Sequence, residues 1–337
     1  MAVLITLIGF GIMVLIHEFG HFAVAKKYGV LVHEFAIGMG PKLFSFGKGE
    51  TKYSLRLLPL GGYVKLEGEG ELEENNNPRS FSNLSPIKRI AILVSGALMN
   101  LLLGILLFAV INASIGISTT TIKNISFDDD FQTALKPQDE IISLNNTRVH
   151  TFKDVALFMS RFQGGKINVT VKRDQKIEKF TVNPRKTDNG YLLGAMFESR
   201  RGSFIENIQH AVYDTIYIVK AVFFSLSDLI TGKIGINSLS GPVEIVSVVK
   251  DVTTEVNSIT IINILMLFAM ITVNLGVFNL LPFPALDGGS IVFAFYELIT
   301  RKKVKPEIVG YAGFIGFILL MALAVIVTVG DIRAIIK

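Results

Sequence analysis

Four apolar runs, each longer than 20 residues, divide this chain, and a run of that length has few structural options. In hydrocarbon every backbone N–H and C=O must be paired within the segment, so each run is predicted to be a membrane-spanning helix. The expected spans cover residues 1–25, 90–113, 259–281 and 308–329. Pro86 and the basic pair Lys88-Arg89 precede the second, and Pro282 stops the third. Of 337 residues 50% are hydrophobic and 18% charged, with mean hydropathy +0.51. That balance excludes an ordinary soluble domain and fits an integral membrane protein carrying some soluble mass. A cleaved leader is the competing reading of residues 1–25, since Ala23-Val24-Ala25 has the look of a cleavage site. The run has no basic segment ahead of it, and the span is preferred.

The connecting segments carry further structure. Residues 26–89 hold ten Lys and Arg, and the 282–307 loop holds Arg301, Lys302, Lys303 and Lys305. The positive-inside rule puts both in the cytoplasm and residues 114–257 outside. The net charge of +5 is spread through loops, so nucleic-acid binding is not expected. Phe204–Ile230 is apolar but interrupted by Glu206, Asp214, Lys220 and Asp228. It reads as an amphipathic helix on the membrane or against the bundle, within a 187–258 segment that returns to the membrane. Residues 330–337 form a short tail.

Residues 114–186 read as a small α/β domain. Thr119–Ile125 and Asp139–Asn145 read as strands, Thr151–Phe162 as a helix capped by Thr151, and 166–182 as a hairpin around Asp174-Gln175. Leu135-Lys136-Pro137-Gln138-Asp139-Glu140-Ile141-Ile142 resembles a stretch of PDZ domains, with Gln138 where a glycine is usual. Such a domain could bind a partner peptide or only shape access to the membrane core. In the first cytoplasmic loop, residues 52–66 are expected to form a β-hairpin turning at Pro59-Leu60-Gly61-Gly62. It could take an extended peptide by strand addition, or simply pack on the bundle.

The first span ends on His17-Glu18-Phe19-Gly20-His21. Histidines at i and i+4 share one helix face and can share a metal ion, with the glutamate between them acting on a nearby water. Three ionisable groups in a lipid-exposed helix are costly, by about 2.5 kcal/mol or more for a central charge. With no cysteine in the chain, a metal must be held by histidine and carboxylate. A catalytic zinc needs a third protein ligand, and Asp287 is the best candidate. At about 1.5 Å per residue His17 lies roughly 24 Å along its span. The third span runs in the same direction and ends at Leu281, so Asp287 emerges at similar depth. Pro282 and Pro284 break the helix, and Gly288-Gly289 permits close backbone approach. His33, His150 and His210 read as surface or packing residues.

Taken together, HEFGH, Phe35–Leu43, the PLGGYVKL segment, Ser240-Gly241-Pro242 and the NxxPxPxLDGG segment at 279–289 resemble the site-2 intramembrane metalloproteases (peptidase family M50). The likeness is to the bacterial regulator-of-sigma-E type and covers nearly the whole chain. It implies one catalytic Zn2+ on His17, His21 and Asp287, Glu18 as base, and a substrate or transition-state contact from Asn279. It implies that Arg56, Leu57, Pro59, Gly61, Gly62 and Tyr63 belong to a membrane-associated β-structure that holds substrate. The expected fold is a polytopic α-helical membrane protein with four transmembrane helices, a cytoplasmic β-hairpin and an inserted extracytoplasmic PDZ-like domain. The expected location is the bacterial inner (cytoplasmic) membrane. Expected partners are the lipid bilayer and single-span substrates, such as a pre-cleaved anti-sigma factor or signal-peptide remnants. Two departures stand out: Gly96-Ala97 precedes Asn100 where relatives have Gly-Pro, and there is room for one PDZ-like domain rather than two. The competing readings are a non-catalytic zinc-binding or transport protein and a PDZ-bearing scaffold. Spans two and four offer transport no His, Asp or Glu ligands.

Overall fold

The structure is a computed structural model that describes all residues except 48, 70–76, 126–133, 189, 236–240, 254–257 and 337. Asp128-Asp129-Asp130, most of the polar stretch after Glu67, and Ser240 lie outside the described residues.

In chain order, α1 (Ala2–Lys27) is followed by β1 (Val32–Phe46), β2 (Lys52–Leu66) and α2 (Pro86–Ile115). Then come β3 (Ile117–Ile125), β4 (Glu140–Leu144), β5 (Thr147–Arg148), α3 (Phe152–Arg161), β6 (Ile167–Arg173) and β7 (Lys176–Val182). Next are β8 (Arg185–Thr187), β9 (Gly190–Leu192), β10 (Ala195–Arg200) and α4 (Phe204–Ile230). The chain ends with α5 (Pro242–Thr253), α6 (Ser258–Asn279), α7 (Asp287–Thr300) and α8 (Pro306–Ile336). Among the described residues four helices are long and apolar enough to cross a membrane: α1, α2, α6 and α8. They coincide with the four apolar runs to within about four residues, except that α8 continues to Ile336 and takes in most of the expected 330–337 tail. Three helices, α2, α5 and α8, begin on proline. Its fixed φ suits the first helical position, where the missing N–H costs nothing. Lys26 and Lys27 close α1, where cations favour the negative end of the helix dipole.

The chain divides into two compact units. One comprises residues 1–104 and 222–337, the other residues 105–221. In the first unit β1 and β2 form a curved antiparallel ribbon that differs from the expected 52–66 hairpin. The two arms of β2 do not pair with each other. Residues 34–37 of β1 lie between them: Phe35 is opposite both Val64 and Tyr53, and Ala36 opposite both Tyr63 and Ser54. The outer half of β1 folds back so that Phe44 meets Leu55 and Phe46 meets Tyr53. Both strands must therefore bend sharply. Gly38 and Gly61 make the bends at φ of +83° and +73°, a conformation that costs a side-chain-bearing residue about 1–2 kcal/mol. The strand at 62–66 is left at one edge of the ribbon.

The bend is braced by charge. Glu34 accepts hydrogen bonds from Tyr63 Oη (2.7 Å) and Arg56 Nη2 (3.1 Å), and Arg56 Nη1 donates to Gly40 O (2.8 Å). Burial pushes the Glu34 carboxyl up, but hydrogen bonds from Ser54, Tyr63 and Arg56 outweigh it and hold the group at about 2.

The second unit holds a six-stranded antiparallel sheet in the order β10-β3-β4-β6-β7, with β5 on β4. Ile122, Ile141, Leu144, Val169 and Val171 bury one face under Val155 and Met159 of α3. The expected strands, helix and hairpin all form, with Asp174 and Gln175 at positive φ in the hairpin turn. The sequence reading ended this domain at 186, whereas β10, at 195–200, pairs with β3. Thr151 stands at the N-cap of α3, but its side chain makes no capping bond. Gln138 adopts φ +72°, where the usual residue of the motif is glycine. The neighbouring Asp139 is buried and takes two hydrogen bonds from Arg173, both 2.7 Å. The 204–230 segment is helical as expected; Asp214 in it pairs with Lys153 (2.7 Å), and Lys220 with Asp154 (2.9 Å).

Candidate metal centre

α1 places His17 and His21 one turn apart on a buried face, 6% and 7% exposed. Their rings meet edge to face with centroids 4.8 Å apart. His21 Nδ1 donates to the backbone carbonyl of Ile92 at 2.8 Å. A carbonyl only accepts, so the His21 proton sits on Nδ1 and its Nε2 lone pair is free for a metal.

Asp287 opens α7 and lies beside the two histidines. The segment between α6 and α7 is tightly folded: Phe283 N donates to Leu281 O (2.7 Å) and Leu286 N to Phe283 O (3.1 Å). Side chains on Gly288 or Gly289 would collide with the carbonyls of Leu281 and Phe283, which is the close approach the glycine pair permits. Ala285 is held at φ +77°, a strained setting beside the site. The 282–307 segment was expected to be a loop, but the 14-residue α7 occupies most of it.

Asp287 Oδ2 lies 3.0 Å from His17 Nε2 and 3.3 Å from His21 Nε2, and the two Nε2 atoms are 3.2 Å apart. A tetrahedral zinc with ligand bonds of about 2.0–2.1 Å separates its donors by about 3.3–3.4 Å. The three donors therefore already form one face of such a tetrahedron, within 0.4 Å on each edge. Two imidazoles and a carboxylate are also a known donor class for catalytic zinc.

A cavity of about 350 Å³ opens on this face. Besides the three donors, Glu18, Tyr63, Val64, Glu69, Leu275 and Asn279 line it. Glu18 Oε2 accepts a hydrogen bond from Val64 N at 3.1 Å, which ties the glutamate to the edge of β2. Asn279 Nδ2 lies 3.4 Å from His17 Nε2. The structure thus brings together His17, Glu18, His21, Asn279 and Asp287, drawn from three helices. The ribbon residues divide differently. Tyr63 lines the cavity, while Arg56 is engaged with Glu34, Leu57 is exposed, and the Pro59 carbonyl and Gly61 pack on Gly11 and Val14 of α1. Gly62 packs on the Ala36 carbonyl. Sequence reasoning assigned no role to Val64, whose contribution is a backbone N–H, or to Glu69, which sits in a polar stretch. It also gave none to Gly96 and Asn100 of α2. An isolated Asn within an apolar span was the signal available for the last.

A profile of peptidase family M50 matches residues 5–323 of this chain. A protein of Clostridium acetobutylicum is 39% identical, covering 98% of this chain and 97% of its own length. One of Clostridium perfringens is 34% identical, covering 98% of each. One of Campylobacter jejuni is 32% identical, covering 99% of this chain and 94% of its own. All three carry provisional names as zinc metalloproteases. With a zinc-shaped donor set in apolar helices and relatives matched end to end, the chain belongs to peptidase family M50, the zinc metallopeptidases of membranes.

Proposed function

We propose that this protein hydrolyses peptide bonds within the transmembrane segments of single-span proteins. The observation that carries the reading is that His17 and His21, which meet Asp287, lie on a helix apolar enough to span the bilayer. Donors built there serve a substrate that is itself in the membrane.

His17, His21 and Asp287 would hold the metal. Zinc, when bound, supplies Lewis acidity that makes water nucleophilic near neutral pH and polarises a peptide carbonyl. Glu18 accepts the proton of that water and returns a proton to the leaving amine nitrogen. Asn279 Nδ2 donates to the oxygen that gains negative charge. A helical substrate hides its carbonyls, so it must first unwind. The edge strand at 62–66 supports an acceptor role for the unwound segment, because Tyr63 and Val64 line the cavity and the Val64 N–H already donates into it. The substrates that fit are single-span proteins already shortened outside the membrane, such as a pre-cleaved anti-sigma factor or a signal-peptide remnant. The basic loops favour a cytoplasmic position for the site and an extracytoplasmic one for the 114–200 domain. There, a PDZ-like domain would exclude substrates with bulky outer parts.

The test is cleavage of a single-span substrate without its outer domain, in liposomes, by wild type and Glu18→Gln, with zinc measured in both. Cleavage by wild type alone, with equal zinc, supports the reading. Equal cleavage by both removes Glu18 as base, and zinc without cleavage favours a binding or scaffold protein.

A further inference from the structure

The two histidines are not held alike. His21 has a backbone carbonyl to receive its Nδ1 proton, and a carbonyl cannot be replaced by a side-chain rotation. His17 Nδ1 has one partner among the described residues, the carboxamide of Asn100, with Nδ2 at 3.4 Å. Asn100 is fully buried, and its Oδ1 has no hydrogen-bond partner. An unpaired amide oxygen in an apolar helix costs about 1–3 kcal/mol, so its retention calls for an explanation.

The chemistry of ligation supplies one. A neutral imidazole that gives Nε2 to a metal carries its proton on Nδ1, which is then a donor. A donor facing the Asn100 NH2 would be repelled, whereas a half-turn of the carboxamide about χ2 exchanges Nδ2 for Oδ1 in nearly the same place. The seat of Asn100 is otherwise fixed. Its backbone carbonyl accepts from Thr272 Oγ1 at 3.4 Å, and α6 passes so close that a Cβ on Gly276 would lie 3.0 Å from Ala97 O and 3.3 Å from Asn100 Cβ. Rotation of the amide is the freedom that remains.

We propose that Asn100 is the positioning residue for His17, its Oδ1 accepting the Nδ1–H so that Nε2 is the atom presented to zinc. The two zinc histidines would then share one tautomer, with acceptors from the two helical turns of α2 that face α1: the Ile92 carbonyl and the Asn100 carboxamide. This inference rests on zinc ligation by His17, but not on the substrate or on the identity of the base.

The test compares Asn100→Ala and Asn100→Asp in the full-length protein. Asp keeps the acceptor and loses the donor, and Ala loses both. Zinc affinity is measured by chelator competition, and the ligand field by the absorption of the Co2+-substituted protein. Loss of an outer partner of a metal histidine typically weakens binding 10–100-fold. Asn100→Ala is expected to fall in that range with an altered Co2+ spectrum, while Asn100→Asp binds zinc at least as tightly as wild type with a wild-type spectrum. Equal weakening by both variants, or none by Ala, overturns the proposal. Leu102→Ala, at an exposed position of α2 away from both acceptors, should keep wild-type affinity and spectrum. Failure of His17→Ala to lose zinc would instead overturn the ligand assignment on which the inference stands.

Discussion

Gly96 is a position where the smallest possible change should disturb the metal face directly. A Cβ there would lie 2.5 Å from His21 Nε2, 2.6 Å from His21 Cε1 and 2.8 Å from His17 Cε1. Ordinary Cβ contacts begin near 3.4 Å, so α2 or the imidazoles must retreat by about 0.9 Å (3.4 minus 2.5). Zinc sites tolerate ligand errors of about 0.2 Å. A misplacement of about 1 Å at a reacting centre costs on the order of 100-fold in rate. Overpacking at a helix contact adds about 1–3 kcal/mol of destabilisation. Gly96→Ala is therefore expected to lower zinc affinity at least tenfold and turnover on the order of 100-fold. The assay is single-span substrate cleavage in liposomes together with zinc titration. Leu102→Ala, on an exposed part of the same helix, serves as the control and should behave as wild type. Gly96→Ala with wild-type zinc affinity and turnover within twofold would refute the argument that α2 closes directly on the metal face.

Three further outcomes follow from particular contacts. Asp287→Ala should lose zinc at concentrations where Glu18→Gln stays loaded, because the proposed ligand set includes Asp287 and not Glu18; metal analysis after gel filtration distinguishes them. Glu34 stays ionised down to about 2 in the folded protein against an ordinary value of 4.5, so its stabilisation is complete above 4.5 and is lost as pH falls toward 2. Wild type should therefore lose stability in detergent between pH 5 and 3 faster than Glu34→Gln; parallel curves would sink the brace. Gln138→Gly should stabilise the 105–221 unit by about 1 kcal/mol through relief of its positive φ, read by denaturant unfolding; a destabilised variant would contradict this.

Much of this site was legible because its chemistry is local. The i and i+4 histidines declare themselves within one turn, and the proline and glycine pairs around Asp287 mark the turn that brings it back to them. The ribbon was harder to read. Residues 52–57 and 63–66 do alternate and do reverse at 59–62, so the extended segments were visible. What pairs with them was not, because the partner is 34–37, which begins only a few residues after α1 and carries an unremarkable pattern. Strand pairing depends on which segment the bend admits, and that was set by Gly38 and Gly61 acting together. The same holds for Asn100, whose role is a matter of 3.4 Å across two helices rather than of any spacing along one. Ala97 in place of proline leaves α2 an uninterrupted helix through this contact.

The two halves of the metal centre are 270 residues apart in the chain. At a synthesis rate of about 5–20 residues per second, Asp287 reaches the membrane roughly 15 to 55 seconds after His17. Until then the first helix holds the two histidines and the proposed base Glu18 but lacks Asp287 and Asn279. A protease made this way has no complete centre during most of its own synthesis. Its earlier helices, inserted one by one as apolar segments of the kind it is proposed to cut, pass through that interval beside an unfinished enzyme.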